Sequence, residues 1–374
     1  MSAVRLICLA VMLTSWISHL VGRPLRSDEE VMFFPTTARF ASDDMVEITV
    51  EAWVYENERR PGVTTVFRRY MRLDPATLNA AEDAEFRRRV RLFLTDSEGG
   101  KLVPVHITTL LEAEPRSLAL PVTPPSGRTS ARWLIPVPRD PSAPWIHFEA
   151  RGPTKAFRGR ALLVPDEGLS VVSDIDDTIK HTHVLDRREM LLNTFARPLQ
   201  AVPGMAELYQ RTESSADEPV RFHYVSGGPH QLWPMIDAFL REHRFPEGSV
   251  HMRSINWRVE VFGDSPGTLG HKLTTIAALM RDFPRRQFVL VGDSGERDPE
   301  VYGQLAREFP EQVVSVLIRD ITGEPREAPR YVEAFRAVPP ELWTLFLDPA
   351  AVELRPARTE LMFPTYPSTP APGA

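Results

Sequence analysis

Two carboxylates stand two residues apart in the segment Asp174-Ile175-Asp176-Asp177-Thr178, directly after the apolar run Leu169–Ser173. Residues two apart on an extended segment project to the same side, so Asp174 and Asp176 can face one phosphate group together. One carboxylate can then attack phosphorus, while the other gives a proton to the departing alkoxide and later takes one from water. Mg²⁺, which prefers oxygen ligands, suits a position between such carboxylates and a phosphate. Aspartates also cap helices, so the cluster alone leaves a purely structural role open.

Three further segments carry groups that suit the same chemistry. Ser226 and Gly227 follow the apolar run 221–225, and a hydroxyl with glycine amides at a helix start can hold phosphate oxygens. Lys272 lies at the start of a helical pattern, where its ammonium group can neutralise phosphate and the attacking carboxylate. Asp293 belongs to the acidic run 292–298, which can supply ligands for a metal ion. Each segment alone could be a helix cap or a solvated charge, but their order favours one phosphate-and-metal site.

Alternating strand and helix patterns from Gly168 onward explain how these residues can meet. Strands are predicted at 169–173, 221–225, 288–291 and 313–317, and helices at 186–195, 231–243, 272–283 and 299–309. Buried strands that alternate with helices indicate a doubly wound α/β fold with a parallel sheet. The ligand site of such a fold lies beyond the carboxyl ends of the strands, which is where Asp174, Ser226 and Asp293 are placed.

The part of the chain before Gly168 has a different pattern of apolar and polar residues. Residues 31–164 contain short apolar runs broken by turn residues, and Val46, Ile48 and Val50 alternate with polar residues as in a strand with one buried face. We expect a β-rich, sandwich-like domain of unassigned role. Its strands are predicted at 46–54, 89–94, 118–122, 132–137, 145–150 and 160–164. The arginines at 87–89 favour solvated strand faces, with a surface for anionic lipid or a protein partner as the alternative.

The motifs together resemble those of the haloacid dehalogenase (HAD) superfamily. Their flanks, 172–180, 226–234 and 292–302, are similar to the catalytic domain of the phosphatidate phosphatases first named from yeast actin patches. The resemblance implies a HAD-like sheet, bound Mg²⁺ and a role for each matching residue. By this resemblance, Asp174 forms the aspartyl-phosphate, Asp176 is the acid/base catalyst and Lys272 stabilises charge. Thr178 and Ser226 contact the phosphate. The metal ligands are the Asp174 side chain, the Asp176 backbone carbonyl and Asp293, and Asp298 supports these ligands. Gly228 stands where many relatives carry serine, so one local phosphate contact differs.

The spacing of the motifs bears on the substrate. The gaps from Lys180 to Ser226 and from Ser226 to Lys272 each fall short of the roughly 50 residues that an independent domain needs, so we expect no large cap over the site. An open site suits a bulky phosphomonoester or one presented at a membrane surface. We therefore expect a phosphatase that converts phosphatidate or a related lipid phosphate to diacylglycerol and phosphate, in peripheral contact with a membrane. Two alternatives stay open: an exported phosphatase for soluble phosphomonoesters or phosphoproteins, and a partner-binding protein with an inert α/β domain.

Composition and the chain ends complete the expectations. The 374 residues carry a formal net charge of -6, which argues against nucleic acid as a partner. Arg5 and the apolar run after it predict a secretory signal at 1–22 and hence a periplasmic or extracellular protein, with an uncleaved membrane anchor as the alternative. Cys8, the single cysteine, lies in that segment, so the rest of the chain offers no thiolate. We place the β-rich domain at 31–164, the catalytic domain at 165–340 and a proline-rich tail at 341–374.

Overall fold

The computed structural model describes residues 22–56, 63–71, 78–108, 117–137, 140, 142–216, 218–254 and 266–354. The predicted signal segment, apart from its last residue, and residues 355–374 of the predicted tail lie outside these ranges. Among the described residues, no helix combines the length and the apolar composition needed to cross a bilayer.

The carboxyl-terminal part is built on a six-stranded sheet in which every neighbouring pair is parallel. The strands, in spatial order, are β12 (Gly248–Arg253), β11 (Arg221–Pro229), β10 (Leu169–Ser173), β13 (Gln287–Asp293), β14 (Val313–Arg319) and β15 (Trp343–Phe346). The four strands predicted from apolar runs are confirmed, and three of them extend beyond the predicted ends. Because parallel strands end at the same edge of a sheet, the segments after β10, β11 and β13 meet at one edge.

Adjacent residues of a strand point to opposite sides of the sheet, and helices pack against both sides. Val171 packs with one set of helices: α3 (Arg187–Phe195), α4 (Met205–Ser215) and α5 (Trp233–Glu242). Val172 packs with the other: α6 (Pro266–Asp282), α7 (Asp298–Glu308) and α8 (Pro329–Ala334). The predicted α/β class and parallel sheet are therefore confirmed, although α6 begins at Pro266 rather than at 272.

The amino-terminal part is dominated by a nine-stranded mixed sheet. Its strands are β1 (Glu29–Phe34), β2 (Thr36–Phe40), β3 (Met45–Glu56), β4 (Asp96–Ser97), β5 (Pro104–Ile107), β6 (Ser117–Ala119), β7 (Arg128–Pro136), β8 (Trp145–Arg151) and β9 (Ala156–Val164). The alternation in β3 is confirmed, since Val46, Ile48 and Val50 are fully buried. The strands form one connected hydrogen-bonded sheet with a parallel β2–β9 pair, so the predicted β-rich character of this part is confirmed.

The strand predicted at 89–94 is wrong. This segment ends a helix, α2 (Ala80–Val90), and continues as the 3₁₀ turn Arg91–Phe93; a further helix, α1 (Val63–Met71), precedes it. Asn79 and Glu82 form a capping box at the start of α2, and Phe86 and Val90, four residues apart, are both buried. The capping signal and the helical spacing therefore outweigh the short apolar run, and Arg87 and Arg88 lie on a helix surface rather than on a strand face.

The start of the predicted proline-rich tail is also corrected. Trp343–Phe346 forms β15 and pairs with β14 as the edge strand of the parallel sheet. Trp343 stacks on Phe335 with ring centroids 4.2 Å apart, and Leu354 is buried in the core on the opposite face of the sheet. The α/β part thus continues at least to residue 354 rather than ending at 340.

Candidate active site

Asp174 begins the loop that leaves the central strand β10. Its backbone N–H donates to the Val291 carbonyl at 2.9 Å, which carries the pairing with β13 one residue past the strand end. Asp177 takes a left-handed φ of 50°, and its carboxylate accepts backbone N–H groups from Thr182 at 2.8 Å and Val184 at 2.6 Å. This tight turn keeps Asp174 and Asp176 at the carboxyl edge of the sheet, where the sequence placed them.

Lys272, from α6, reaches into this edge and contacts three carboxylates. Its Nζ lies 2.8 Å from Asp174 Oδ1, 2.9 Å from Glu296 Oε2 and 2.5 Å from Asp298 Oδ1. Thr178 lies on the other side of Asp174 and donates its hydroxyl to Oδ2 at 3.3 Å. The predicted juxtaposition of Lys272 and Thr178 with Asp174 is therefore present, and the side chains of Lys272 and Asp174 are each only 1% exposed.

The last residue of β13 and the loop after it place two more carboxylates against Asp174. Asp293 Oδ1 accepts the N–H groups of Gly295 at 2.6 Å and Glu296 at 3.1 Å, while its Oδ2 is buried without a hydrogen-bond donor among the described residues. Asp174 Oδ1 accepts no aligned hydrogen bond there, although the Lys272 Nζ lies 2.8 Å away. Oxygens of Asp174, Asp293 and Glu296 lie within 4.8 Å of one another, and such an all-oxygen set suits a hard divalent cation.

A glycine allows Asp298 to approach this loop from behind. The carboxylate accepts the Asp293 N–H at Oδ2 at 3.1 Å, and Asp298 is fully buried. A Cβ at Gly292 would lie 2.3 Å from the same Oδ2 atom, so only glycine leaves room for the contact. Asp298 thus contacts both Asp293 and Lys272.

Acidic side chains outnumber basic side chains around Asp174. Burial raises the pKa of Asp174 well above its usual range; the Lys272 ammonium group opposes this rise, and the charges of Asp298, Glu296 and Asp293 add to it. Burial likewise raises the pKa of Asp293. Burial alone would lower the pKa of Lys272, but the surrounding carboxylates hold it well above its usual range. Among the described residues, the Lys272 ammonium group therefore faces three buried carboxyl groups and the partly buried Glu296, and a bound cation would offset the surplus of negative charge.

Asp176 has an environment of its own. Its Oδ1 accepts a hydrogen bond from Thr182 Oγ1 at 2.7 Å and lies 2.7 Å from Lys180 Nζ. Burial would raise the pKa of Asp176, but the charge and hydrogen bond of Lys180 and the hydroxyl of Thr182 outweigh it and keep the pKa below its usual range. The two aspartates of the motif thus have pKa values that are shifted in opposite directions.

The carboxyl end of β11 brings the predicted phosphate-binding residues beside Asp176. Ser226 Oγ lies 3.5 Å from Asp176 Oδ2 and accepts the Gly228 N–H at 2.9 Å. The pairing with β12 shifts register between Ser226 and Pro229, so this stretch leaves the regular ladder. Gly227 lies between the two and is partly exposed. A Cβ at Gly228 would lie 3.1 Å from Ser226 Oγ, so the glycine that replaces the expected serine fits this close turn.

Three residues that the sequence left without a role belong to the site. Glu296 joins the carboxylate group, and Lys180 and Thr182 hold Asp176. The sequence could have indicated Glu296, because this residue lies in the acidic run after β13. Lys180 lies in the quoted motif, but the turn at Asp177 that brings it back onto Asp176 is not visible as a pattern.

Comparisons with known proteins agree with the motifs. Residues 169–320 match the family model described as phosphatidate phosphatase APP1, catalytic domain. Phosphatidate phosphatase APP1 of Saccharomyces cerevisiae is 36% identical over 171 residues, which make up 44% of this chain and 28% of that protein. An uncharacterised protein of Schizosaccharomyces pombe is 30% identical over 174 residues, 46% of this chain and 28% of that protein. The chain therefore spans just over a quarter of the length of these relatives.

The resemblance that the motifs indicated is confirmed for residues 169–320, and this homology supports the predicted assignment to the phosphatases. Asp174, Ser226, Lys272 and Asp293 all lie inside the matched range. Among solved structures, a mutant ferredoxin-NADP⁺ reductase of Plasmodium falciparum covers 78% of this chain and 95% of its own at 6% identity, but its TM-score of 0.19 carries no argument about the fold.

Proposed function

We propose that this chain is a Mg²⁺-dependent phosphomonoester hydrolase with a HAD-like catalytic domain and an aspartyl-phosphate intermediate on Asp174. The observation that carries the proposal is the state of Asp174 itself. Its Oδ1 lies 2.8 Å from the Lys272 ammonium group, and Asp293 and Glu296 lie beside it. A buried carboxylate kept beside a lysine has the form of an activated nucleophile.

The donor set fits the metal that the family implies. Asp174 and Asp293 each offer a carboxylate oxygen to the group, Asp293 Oδ2 has no hydrogen-bond donor among the described residues, and we propose the Asp176 backbone carbonyl as a further ligand. Glu296 is the additional carboxylate within reach. When bound there, Mg²⁺ would supply positive charge for the phosphoryl oxygens and for the carboxylates that now face one lysine.

The residues of the chain then divide the work of the reaction. Asp174 forms a bond to phosphorus as the bond to the alkoxide breaks, and Asp176 gives the alkoxide a proton. Thr178, Ser226 and the Gly227 amide hold the phosphoryl oxygens, while Lys272 offsets the charge that develops on them.

Asp176 serves again in the second half of the reaction, in which it takes a proton from the water that attacks the aspartyl-phosphate. Without a bound phosphate the pKa of Asp176 is lowered, so the carboxyl group is ionised and ready to accept a proton in this step. The charge of a bound phosphate raises that pKa and so suits the earlier acid step.

We propose phosphatidate or a related lipid phosphate as the substrate, with diacylglycerol and phosphate as products. The similarity to the yeast phosphatidate phosphatase supports this choice. Two leucines also follow elements that end at the carboxyl edge of the sheet: Leu185 comes after the Asp174–Thr182 turn and Leu347 after β15, and they are 61% and 73% exposed. Leucines this exposed beside a catalytic edge suit peripheral contact with a lipid surface.

Turnover of phosphatidate in mixed micelles and of soluble phosphomonoesters, each with Mg²⁺ or with EDTA, tests the assignment. We expect Mg²⁺-dependent release of phosphate that Asp174→Asn abolishes, and a labelled phosphoenzyme only in the unsubstituted protein. Full activity of Asp174→Asn would overturn the mechanism, and faster turnover of soluble substrates would overturn the lipid assignment.

A matched set of variants tests the membrane contact. Leu185→Ser and Leu347→Ser should lower turnover of micellar phosphatidate and leave soluble substrates unaffected. Leu134→Ser is the control, because Leu134 is 53% exposed on β7, and its strand neighbour Arg132 binds Asp282 at the end of α6 that is remote from the catalytic edge. Equal effects of all three substitutions would contradict the contact.

We further propose export of the protein through residues 1–22. Mass spectrometry of the amino terminus tests this: a mature chain that begins near Arg23 supports cleavage, and an intact Met1 contradicts it.

A further inference from the structure

The residue that follows the phosphate-binding segment is covered by the β-rich sheet. His230 comes directly after Pro229 and is only 3% exposed. Trp53, on β3, meets it edge to face with ring centroids 4.8 Å apart and planes at 85°. Phe34, at the end of β1, does the same at 5.8 Å and 84°. Two aromatic side chains from outside the matched catalytic segment therefore form the wall behind the Ser226–Pro229 turn.

These two rings are themselves fixed. Trp53 stacks on Tyr55 at 4.3 Å, and its indole N–H donates to Ser97 Oγ at 3.1 Å. The Arg128 guanidinium group lies over the Phe34 ring, 5.2 Å from its centroid. Both rings belong to a packed surface and have little freedom to follow a moving loop.

The backbone joins the two parts at the same place. The Val250 N–H, on β12, donates to the Pro35 carbonyl between β1 and β2 at 2.8 Å. The His230 Nδ1 lies 3.2 Å from the carbonyl of Arg253, the last residue of β12. Burial lowers the pKa of His230 to about 3, so its ring is neutral and the contact depends on shape rather than charge. Strand β12, His230 and the β-rich sheet thus form one unit beside the turn.

A second contact supports the opposite flank of the site. Arg89, at the end of α2, donates to the Thr194 carbonyl of α3 at 2.8 Å, and Phe93 meets Phe195 at 5.5 Å. Helix α3 follows the nucleophile loop, and its Asn193 side chain donates to the Thr182 carbonyl at 3.3 Å. The amino-terminal part therefore touches the supports of both the Ser226 side and the Asp176 side.

We propose that the β-rich domain is a positioning element of the active site, and that Phe34 and Trp53 act as positioning residues for the Ser226–Gly228 turn through His230. The inference rests on the proposed function, because it concerns how that site is held. Catalytic groups must be kept close to the productive geometry, and a displacement of about 1 Å can cost about 100-fold in rate. The turn is short and glycine-rich, so its geometry depends on what packs behind it.

The test compares Trp53→Leu with Trp133→Leu in the full chain. Trp133, on β7, packs on the core formed by the β-rich sheet alone and serves as the matched control. With a hydrolysed phosphomonoester, we expect Trp53→Leu to lower kcat by about 10-fold or more with a smaller change in KM. Amide hydrogen exchange in residues 226–230 should become faster. Trp133→Leu should change neither quantity at temperatures where the protein stays folded.

Trp53 is almost fully buried, so a milder variant accompanies it. Phe34→Leu should show the same pattern at smaller amplitude, and the double variant Trp53→Leu/His230→Leu should lose no more kcat than the stronger single one, since both act through one contact. Equal effects of Trp133→Leu, additive losses, or unchanged exchange at 226–230 would overturn the proposal. If the unsubstituted protein hydrolyses no phosphomonoester, the proposed function fails, and the exchange comparison alone then decides this inference.

Discussion

Replacement of Lys272 by methionine removes the ammonium group that contacts the buried carboxylates of Asp174 and Asp298 and the partly buried carboxylate of Glu296. Methionine preserves much of the apolar length of the side chain, so the change mainly deletes charge. Loss of one partner from a buried ion pair costs about 3–5 kcal/mol, because the remaining charges stay buried and uncompensated. With three carboxylates within 2.9 Å, we expect a value toward the upper end of that range. This corresponds to a fall in Tm of about 5–10 °C.

Lys101→Met is the matched control. Lys101 is also fully buried and pairs with Glu29, with Glu98 more distant at 3.7 Å, but it lies in the β-rich part of the chain, between β4 and β5. We expect a comparable or smaller loss of stability and turnover within about threefold of the unsubstituted protein. Lys272→Met should instead lower kcat/KM by about 100- to 1,000-fold, the cost of one lost charge-stabilising group. Thermal denaturation by circular dichroism and phosphate release below both transitions measure the two effects. Equal activity of the two variants would refute the role of Lys272.

The pH dependence supplies a second check on the same variant. Carboxyl groups whose pKa is raised by folding bind protons that the unfolded chain releases, so stability falls as the pH rises above about 4 toward the folded pKa. Burial raises the pKa of Asp174 and of Asp293, and removal of Lys272 raises both further. The stability gap between the Lys272→Met variant and the unsubstituted protein should therefore narrow as the pH is lowered from 8 to 5 in EDTA. A gap that widens would contradict this charge assignment.

Two further substitutions probe the support of the site. Gly292→Ala would place a Cβ 2.3 Å from Asp298 Oδ2, and we expect a loss of about 1–3 kcal/mol in denaturant unfolding together with lower activity. Gly270→Ala is its control, because its Cβ would meet nothing within 4 Å and a helical alanine should stabilise the fold by up to about 1 kcal/mol. Lys180→Met should raise the pKa of Asp176, so the titration in the pH profile of kcat/KM that reports this group should move to higher pH; an unmoved profile would exclude Asp176 as that group.

The sequence predicted the parallel sheet well, because its strands are buried on both faces and are therefore continuous apolar runs. The run Leu169–Ser173 coincides with β10, and the chemistry-bearing residues lie at or just after the carboxyl ends of β10, β11 and β13, as expected for such sheets. The chemical pattern was local as well: each functional residue stands within a few positions of a strand end or a helix start. The order of the motifs along the chain was therefore enough to predict that Asp174, Ser226 and Asp293 lie close together.

The amino-terminal half gave weaker signals, because its short strands and short helices share similar apolar runs. At 89–94 the run was too short to separate strand from helix, and the capping box at Asn79, ten residues earlier, carried the decisive information. The contact between Trp53 and His230 joins residues far apart in sequence, and no local pattern encodes it. The position of Lys180 over Asp176 depends on the left-handed residue Asp177, which only three-dimensional structure reveals.

The residues proposed to carry out the reaction and the residues that pack behind them therefore lie in different parts of the chain. The matched segment at 169–320 holds every residue proposed to touch phosphate or metal, whereas Trp53, Phe86 and Phe93 share one hydrophobic core with Phe195 of the catalytic part. Removal of the amino-terminal half would expose that core to water, at a cost of roughly 25 cal/mol for each Å² of apolar surface. The same surface lies behind α3 and β12, which flank the nucleophile loop and the phosphate-binding turn. Selection for catalysis can thus act on the β-rich sheet through packing alone, without any residue of that sheet touching the substrate.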